Sequence, residues 1–151
     1  MVVNKWDLVT KETNTMRDYE RKIRGEMQFM TYAPILFTSA LKGQRLPQVI
    51  EMARYVSEMR TMRVSTGQLN SLVQDAMMMN NPPSDKGKRL KIYYVSQIGV
   101  QPPLFSFQVN DRELMHFSYA RYLENKIRDA YGFQGTSIKF VFREKGDKDD
   151  Y

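Results

Sequence analysis

The chain opens with Met1-Val2-Val3-Asn4-Lys5-Trp6-Asp7, in which two β-branched residues give way to a polar loop. This pattern predicts the end of a buried strand that runs into a loop. A second apolar run, Ala33-Pro34-Ile35-Leu36-Phe37-Thr38, predicts another buried strand, and Ser39-Ala40 follows it. Because a helical segment separates the two runs, we predict two parallel strands joined by a right-handed crossover.

Residues 1–62 alternate between strand and helix patterns. A helix beginning near Thr15 is predicted from apolar residues at steps of three and four: Met16, Tyr19, Ile23, Met27 and Met30. Basic residues are expected on its outer faces: Arg17, Arg21, Lys22 and Arg24. Pro47 marks the start of another helix, with an apolar stripe of Ile50, Ala53, Val56 and Met59. Two strands are too few for a stable sheet covered on both faces, so we predict part of a larger α/β domain with an apolar face that is exposed or covered by a partner.

Residues 64–151 follow a different order, which predicts a separate α+β domain. A helix capped by Thr66 ends at Asn80, and another helix runs over Phe117–Tyr131. Alternating stretches predict strands at 90–98, 105–109 and 137–143. We therefore expect a three-stranded sheet with helices packed on one face. The predicted bounds are 1–62 for the partial α/β domain, 64–144 for the α+β domain and 145–151 for a flexible tail.

Composition excludes several kinds of chemistry. The 151 residues contain no cysteine and one histidine, so thiol nucleophiles, disulfides and thiolate zinc sites are ruled out. His116 is expected to pack near a helix start, and we predict no catalytic residue and no metal site. No apolar run approaches the roughly 20 residues that span a bilayer, so we expect a cytoplasmic protein without a membrane partner.

The loop after the first strand carries the sharpest functional pattern. A carboxylate such as Asp7, at the carboxyl end of a parallel strand, can accept the two adjacent N–H donors of guanine, which adenine lacks. Lys5 can lay its alkyl stem over the purine, and Asn4 can tie neighbouring loops through its amide. Ser39 and Ala40, after the next strand, leave room for a backbone N–H near guanine O6. The alternative is a solvated loop whose aspartate caps a helix.

Two further patterns concern nucleic acid. The net charge is +6, and the densest cationic cluster is formed by Lys86, Lys88, Arg89 and Lys91. These side chains could contact phosphates without reading sequence, although an ordinary solvated loop explains them equally well. Gly132-Phe133-Gln134-Gly135 has the G-x-x-G spacing of KH domains, but we favour a helix C-cap with Gly132 in the left-handed region. Tyr93 and Tyr94 should project to opposite sheet faces, so at most one should be exposed.

Longer stretches carry a resemblance to a known family. With Asn4-Lys5-Trp6-Asp7, residues 1–62 resemble the last third of a Ras-like P-loop GTPase domain. Residues 64–151 resemble the KH-like domain of the Der (EngA) family of bacterial ribosome-assembly GTPases. The matching stretches are Arg89-Leu-Lys-Ile-Tyr-Tyr94, Pro102-Pro103, Val109-Asn-Asp111, His116-Phe-Ser-Tyr119, Arg121-Tyr-Leu-Glu-Asn125, Ile127-Arg128 and Gly132-Phe-Gln-Gly-Thr136.

The resemblance implies a cofactor and partners. It implies GTP or GDP bound through a complete GTPase domain, with Mg²⁺ held only there, and it implies the large ribosomal subunit, its rRNA and preceding GTPase domains as partners. The sequence lacks a G-x-x-x-x-G-K-[ST] phosphate loop, since Arg89 follows its only Gly-Lys pair. We therefore expect no GTP hydrolysis by this chain alone. The alternative is a stand-alone KH-like RNA- or protein-binding module with no nucleotide role.

Overall fold

The computed structural model describes residues 1–85 and 87–147, and these residues form two units. Unit 1 comprises Met1–Met59 together with Gln134–Thr136. Unit 2 comprises Arg60–Phe133 and the residues from Ser137 onward. Lys86 and the end of the predicted tail, residues 148–151, lie outside the described residues. The domain bounds drawn from the sequence stay a prediction.

Unit 1 contains a short parallel sheet. Strand β1 (Val2–Val3) pairs in parallel with strand β2 (Leu36–Phe37), as the crossover pattern predicted. The Thr38 amide donates to the Val3 carbonyl at 2.8 Å and continues the pairing past the end of the strand. The regular pairing covers two residues on each strand rather than the six-residue run in the sequence.

Unit 1 contains two helices in the predicted order, and most of their side chains are exposed or half-buried. Helix α1 spans Thr15–Glu26, and none of its residues is fully buried. Helix α2 spans Leu46–Thr61. Of the stripe at helical spacing on α2, Ile50 is 74% exposed and Ala53 is also exposed. Val49 and Met52 are half-buried instead, because apolar residues surround most of this helix and its periodicity does not select one face.

One basic residue of α1 does not lie on an outer face. The Arg24 guanidinium donates hydrogen bonds to the carbonyls of Met30, Thr31 and Ala33 at 3.4, 3.1 and 2.8 Å. Arg24 therefore closes the turn that leads from α1 toward β2, a role that charge alone did not reveal.

Trp6 is the centre of the small core of unit 1. It is 2% exposed and packs on Phe37, with ring centroids 4.4 Å apart. Trp6 also packs against Tyr19 in a T-shaped arrangement, with ring centroids 5.2 Å apart. This packing fixes the loop that follows β1.

Unit 2 is an α+β module. In chain order it contains helix α3 (Thr66–Met79), strands β3 (Ser84–Asp85), β4 (Lys88–Arg89), β5 (Ile92–Gly99) and β6 (Leu104–Val109), helix α4 (Phe117–Tyr131) and strand β7 (Lys139–Arg143). The three-stranded sheet has the order β5-β6-β7, with β5 antiparallel and β7 parallel to β6. β3 and β4 form an antiparallel hairpin that the sequence pattern did not reveal. The predicted fold class, a partial parallel α/β portion followed by a KH-like α+β module, is confirmed.

The core of unit 2 lies between one sheet face and the two helices. Leu69 and Val73 of α3 and Leu123 and Ile127 of α4 are at most 3% exposed. They share one cluster with inward-facing residues of the sheet: Val95, Phe105, Phe107 and Val109. The opposite sheet face is not covered by these helices.

Two local expectations for unit 2 were wrong. Ser65, not Thr66, caps α3, and its hydroxyl accepts the Gln68 amide at 3.4 Å. Tyr93 and Tyr94 are both exposed, by 58% and 47%. The pairing of β5 with β6 shifts register between Ile92 and Tyr94, so one extra residue interrupts the alternation of sheet faces.

Polar side chains hold the outer edge of β5. Asn70 of α3 accepts the Val95 amide at 3.0 Å and donates to the Val95 carbonyl at 2.8 Å. Gln97 accepts the Val64 amide at 2.8 Å and donates to the Met62 carbonyl at 2.9 Å. The Asn70 bonds replace those that a further strand would make to Val95, while the Gln97 bonds tie β5 to the segment before α3.

Candidate nucleotide- and RNA-binding sites

The loop after β1 is anchored to the loop after β2 by its backbone. The Trp6 amide donates to the Thr38 carbonyl at 2.9 Å. Lys5, just before it, has positive φ (62°), and its side chain is exposed. This bend lets the chain turn from the strand into a short 3₁₀ helix, Trp6–Leu8, which carries Asp7.

A hydrogen bond joins the two predicted guanine loops at Asp7. The Ser39 hydroxyl donates to Asp7 Oδ1 at 2.5 Å, and Ser39 itself is fully buried. Ser39 Oγ also accepts the Lys42 amide at 3.2 Å, so the hydroxyl is held from both sides. Asp7 lies within the first turn of the short helix, and Lys5 occupies the N-cap position of that helix.

The electrostatics of the loop keep Asp7 ionised. The Ser39 hydroxyl is the main cause that lowers the pKa of Asp7, partly opposed by desolvation; the cations Lys42 and Lys11 contribute less. An ionised carboxylate only accepts hydrogen bonds. At neutral pH, Asp7 is therefore suited to a ligand edge that offers donors.

A second hydrogen bond joins the loops through Asn4 and Ala40. The Ala40 amide donates to Asn4 Oδ1 at 3.0 Å. Asn4 thus ties the two loops through its side-chain amide, as its residue type indicated. The Ala40 amide, which we expected near a purine oxygen, is used by Asn4 in this structure. The structure brings Asn4, Asp7, Ser39 and Ala40 together.

Sequence reasoning missed Lys42 near this site. It lies in the loop after β2, it is exposed, and it is one of the two cations that lower the pKa of Asp7. Its position two residues beyond Ala40, in the same loop, was the available signal. A cation here favours an anionic or electron-rich ligand beside Asp7.

The predicted basic cluster lies on the β3–β4 hairpin and the residues after it. Lys88, Arg89 and Lys91 are exposed, while Lys86 lies outside the described residues. Asn110 supports this segment: its Nδ2 donates to the Arg89 carbonyl at 3.0 Å and its Oδ1 accepts the Lys91 amide at 2.7 Å. Lys88 pairs in register with Asp85, which reduces the local positive charge.

The G-x-x-G stretch ends a helix, as we favoured. Gly132 has φ of 88°, and its amide donates to the Arg128 carbonyl at 2.8 Å at the C-cap of α4. Phe133 is fully buried and meets Phe105 edge to face at 5.8 Å. A loop that buries its middle residue does not present the open backbone that KH domains use. His116 stands at the N-cap of α4 with an exposed side chain, so its expected packing is wrong.

The described residues contain neither a candidate metal site nor a helix that could span a membrane. Over residues 1–85 and 87–147, no group of three or more histidine or acidic residues is arranged to hold a metal ion. In the same residues, every helix is too short or too polar to cross a bilayer.

Comparison with known proteins extends this description. Residues 63–143 match the model of the KH-domain-like C-terminal domain of EngA bacterial GTPase enzymes. The chain is 53% identical to the GTPase Der of Alkaliphilus metalliredigens over 149 residues, which are 99% of this chain and 34% of that protein. It is 54% identical to the GTPase Der of Agathobacter rectalis over 145 residues, 96% of this chain and 33% of that protein.

The fold and these similarities define a class and then a family. A partial parallel α/β portion followed by a KH-like α+β module is the organisation of part of a bacterial GTPase. The chain belongs to the family with the KH-domain-like C-terminal domain of EngA GTPase enzymes, and the resemblance to Der is confirmed. It spans about a third of the length of the curated relatives it matches.

Proposed function

We propose that this chain supplies the guanine-recognition loops and the KH-like module of a GTP-binding protein that acts in large-subunit ribosome assembly in the cytoplasm. The observation that carries the proposal is the pair of hydrogen bonds from Ser39 to Asp7 and from Ala40 to Asn4. They place one ionised carboxylate and two loops at the same edge of a parallel sheet, where α/β folds bind ligands.

The chemistry of Asp7 supports guanine rather than adenine as the base. Guanine presents N1–H and its 2-amino group side by side, and a carboxylate can accept both. Each carboxylate oxygen has two acceptor sites, so the bond from Ser39 to Oδ1 leaves room for these donors. Adenine would leave the carboxylate facing an acceptor, and an unmatched polar group costs about 1–3 kcal/mol or more.

Hydrolysis belongs to a more complete domain in this proposal. The sequence contains no phosphate loop, and phosphoryl transfer depends on backbone amides and Mg²⁺ around the phosphates. We therefore assign base recognition to Asn4, Lys5, Asp7, Ser39 and Ala40, while GTP or GDP binding with Mg²⁺ requires preceding GTPase domains as partners. This chain alone is expected to bind nucleotide weakly and not to hydrolyse it.

The test uses a chimera in which this chain replaces the matching 149 residues of the GTPase Der of Alkaliphilus metalliredigens. In the chimera, Asp7→Asn should shift preference from guanine toward xanthine nucleotides, because the amide reverses one donor–acceptor pairing. The measurement is competition between GTP and XTP for a fluorescent guanine nucleotide. Asp18→Asn is the matched control, since Asp18 is an exposed carboxylate of α1 in the same unit. An unchanged base preference in Asp7→Asn contradicts the proposal.

A second candidate function concerns RNA. The hairpin exposes Lys88 and Arg89, and Lys91 follows with a fixed backbone, which supports non-specific phosphate contacts to rRNA. The alternative to a GTPase part, a stand-alone KH-like RNA- or protein-binding module, rests on the same surface. Replacing Lys86, Lys88, Arg89 and Lys91 by glutamine should lower RNA affinity and flatten its dependence on salt. RNA affinity and salt slope that survive all four changes contradict this role.

A further inference from the structure

The uncovered face of the three-stranded sheet combines aromatic and hydrogen-bonding side chains. Tyr94 pairs with Gln108 and Ser96 pairs with Ser106 across β5 and β6. These residues alternate with the buried Val95 and Phe107, so they point away from the helices. We call Tyr93, Tyr94, Ser96, Ser106 and Gln108 the open sheet face.

The register shift in β5 gives this face two adjacent aromatic rings. Without the shift, Tyr93 would alternate with Tyr94 and point toward the core. With it, Ile92 and Val95 supply the core contacts while Tyr93 and Tyr94 stay 58% and 47% exposed. Two neighbouring exposed tyrosines form an aromatic patch, and contiguous exposed patches mark interaction sites more often than isolated apolar residues do.

Two shallow concavities adjoin on the open sheet face. One, of about 340 Å³, is lined by side chains of the open sheet face and by four residues after β6: Tyr94, Ser96, Ser106, Gln108, Arg143, Glu144, Gly146 and Asp147. The other, of about 500 Å³, is lined by Tyr93, Gln108, Val109, Asn110 and Lys145. Gln108 lines both concavities, so they form one continuous surface.

Charge selects the partner at one rim of this surface. Lys145 and Asn110 line the larger concavity, and Asn110 hydrogen-bonds the backbone of two exposed cationic residues of the hairpin segment, Arg89 and Lys91. The smaller concavity is lined by two acids, Glu144 and Asp147, and by the cation Arg143; Glu144 accepts the Arg112 amide and Asp147 accepts the Glu144 amide, each at 2.9 Å. Cations beside exposed aromatic rings favour a polyanion with flat apolar groups.

We infer that the open sheet face binds single-stranded RNA, with bases stacked on Tyr93 and Tyr94 and the phosphates along Arg89, Lys91 and Lys145. The inference rests on the proposed RNA-binding function of the basic cluster. It adds base stacking on the two tyrosines, which distinguishes unpaired from paired RNA. Unpaired bases expose their faces for stacking, whereas a duplex hides them and offers phosphates alone. Ser96, Ser106 and Gln108 supply donors and acceptors for base edges.

The test measures fluorescence anisotropy of a labelled oligouridylate of about 8 nucleotides, a length that one small module covers, against an RNA duplex of equal length. The double variant Tyr93→Leu/Tyr94→Leu should weaken binding of the single strand about fivefold or more, with an unchanged salt slope. The double variant Tyr93→Phe/Tyr94→Phe keeps both rings and should bind within about twofold of the native chain. Tyr55→Leu, which changes an exposed tyrosine of α2, is the matched control and should have no effect.

Each outcome separates the inference from the proposal beneath it. Salt-dependent RNA binding that the double leucine variant leaves unchanged overturns the stacking role and keeps the basic cluster. Absence of any RNA binding by the native chain overturns both. Equal affinity for duplex and single strand overturns the inference. The double leucine variant could also keep its RNA binding but lose affinity for the part of the GTPase Der of Alkaliphilus metalliredigens that this chain does not match. That result would overturn the inference and assign the open sheet face to a protein partner.

A second measurement covers the case in which the leucine variant does not fold. RNA carrying 5-iodouridine is irradiated with the native chain, and the cross-linked residues are located by mass spectrometry. Cross-links at Tyr93 or Tyr94 support the inference, because this chemistry favours stacked aromatic rings. Cross-links confined to other residues overturn it.

Discussion

The hydrogen bonds of Asn70 give a stability prediction whose size can be worked out from the structure. Its side chain accepts the Val95 amide at 3.0 Å and donates to the carbonyls of Val95 and Thr66 at 2.8 and 2.7 Å. Val95 is fully buried, so water cannot replace these partners easily. Three hydrogen bonds at about 1 kcal/mol each, less the better helix propensity of alanine by up to about 0.7 kcal/mol, give a loss of about 2–3 kcal/mol for Asn70→Ala.

The assay is urea unfolding followed by far-ultraviolet circular dichroism, with hydrogen exchange of the Val95 amide as a local readout. Asn70→Ala should lower the free energy of unfolding by that amount and reduce protection at Val95. Ser71→Ala is the matched control: Ser71 is the next residue of α3, and its exposed hydroxyl donates to the Gly67 carbonyl at 3.1 Å. It should change stability by less than about 0.5 kcal/mol. Equal effects of the two substitutions would refute the reasoning.

Two further predictions concern unit 1. A Cβ at Gly135 would lie 2.3 Å from Val56 Cγ2, and φ there is +80°, so Gly135→Ala should lower the free energy of unfolding in urea by about 2–4 kcal/mol. The control is Gly25→Ala in α1, where nothing lies within 4 Å of an added Cβ, and it should be neutral or stabilising. Equal losses of stability in the two variants would contradict the clash at Gly135. Because the pKa of Asp7 is lower in the folded chain than in the unfolded chain, ionised Asp7 stabilises the fold. This stabilisation is fully present above the pKa of the unfolded state and is lost as the pH falls through the pKa of the folded state. Ser39→Ala should therefore have a lower free energy of unfolding than the native chain at neutral pH, and this difference should narrow below about pH 4. Unfolding is followed by Trp6 fluorescence. A difference that does not depend on pH would contradict the stabilising bond between Ser39 and ionised Asp7.

Periodicity predicted the helices of unit 2 well because their apolar residues lie on one side. Leu69, Val73 and Ala76 of α3, spaced four and three residues apart, are all buried. On α2 the periodicity predicted the helix but not which side is buried, because Val49, Ile50, Met52 and Ala53 are all apolar and the spacing fits more than one face. Tertiary packing, not sequence period, selects the buried face there.

Features that depend on pairing between strands could not be predicted. The register shift that exposes Tyr93 depends on how β5 aligns with β6, which alternation along one strand does not encode. The β3–β4 hairpin is made of Ser84, Asp85, Lys88 and Arg89, whose polar side chains give no strand signal. The sequence does not distinguish Asn70 and Gln97 from other polar residues; only the structure shows that Asn70 bonds the backbone of β5 and that Gln97 ties β5 to Met62.

The predicted guanine loops are different, because their chemistry depends on few and local elements. Two parallel strands bring their carboxyl ends to one edge, and Asn4, Asp7, Ser39 and Ala40 all follow within four residues of a strand end. The Ser39 and Ala40 bonds then hold the carboxylate and the asparagine before any ligand arrives. Ordering of these groups costs nothing further on binding. In the proposed function, these loops discriminate between bases, while the affinity for nucleotide depends on phosphate contacts supplied by the rest of a GTPase domain. Substitutions in the loops should therefore change the ratio of guanine to xanthine binding, and substitutions around the phosphates should change the total affinity.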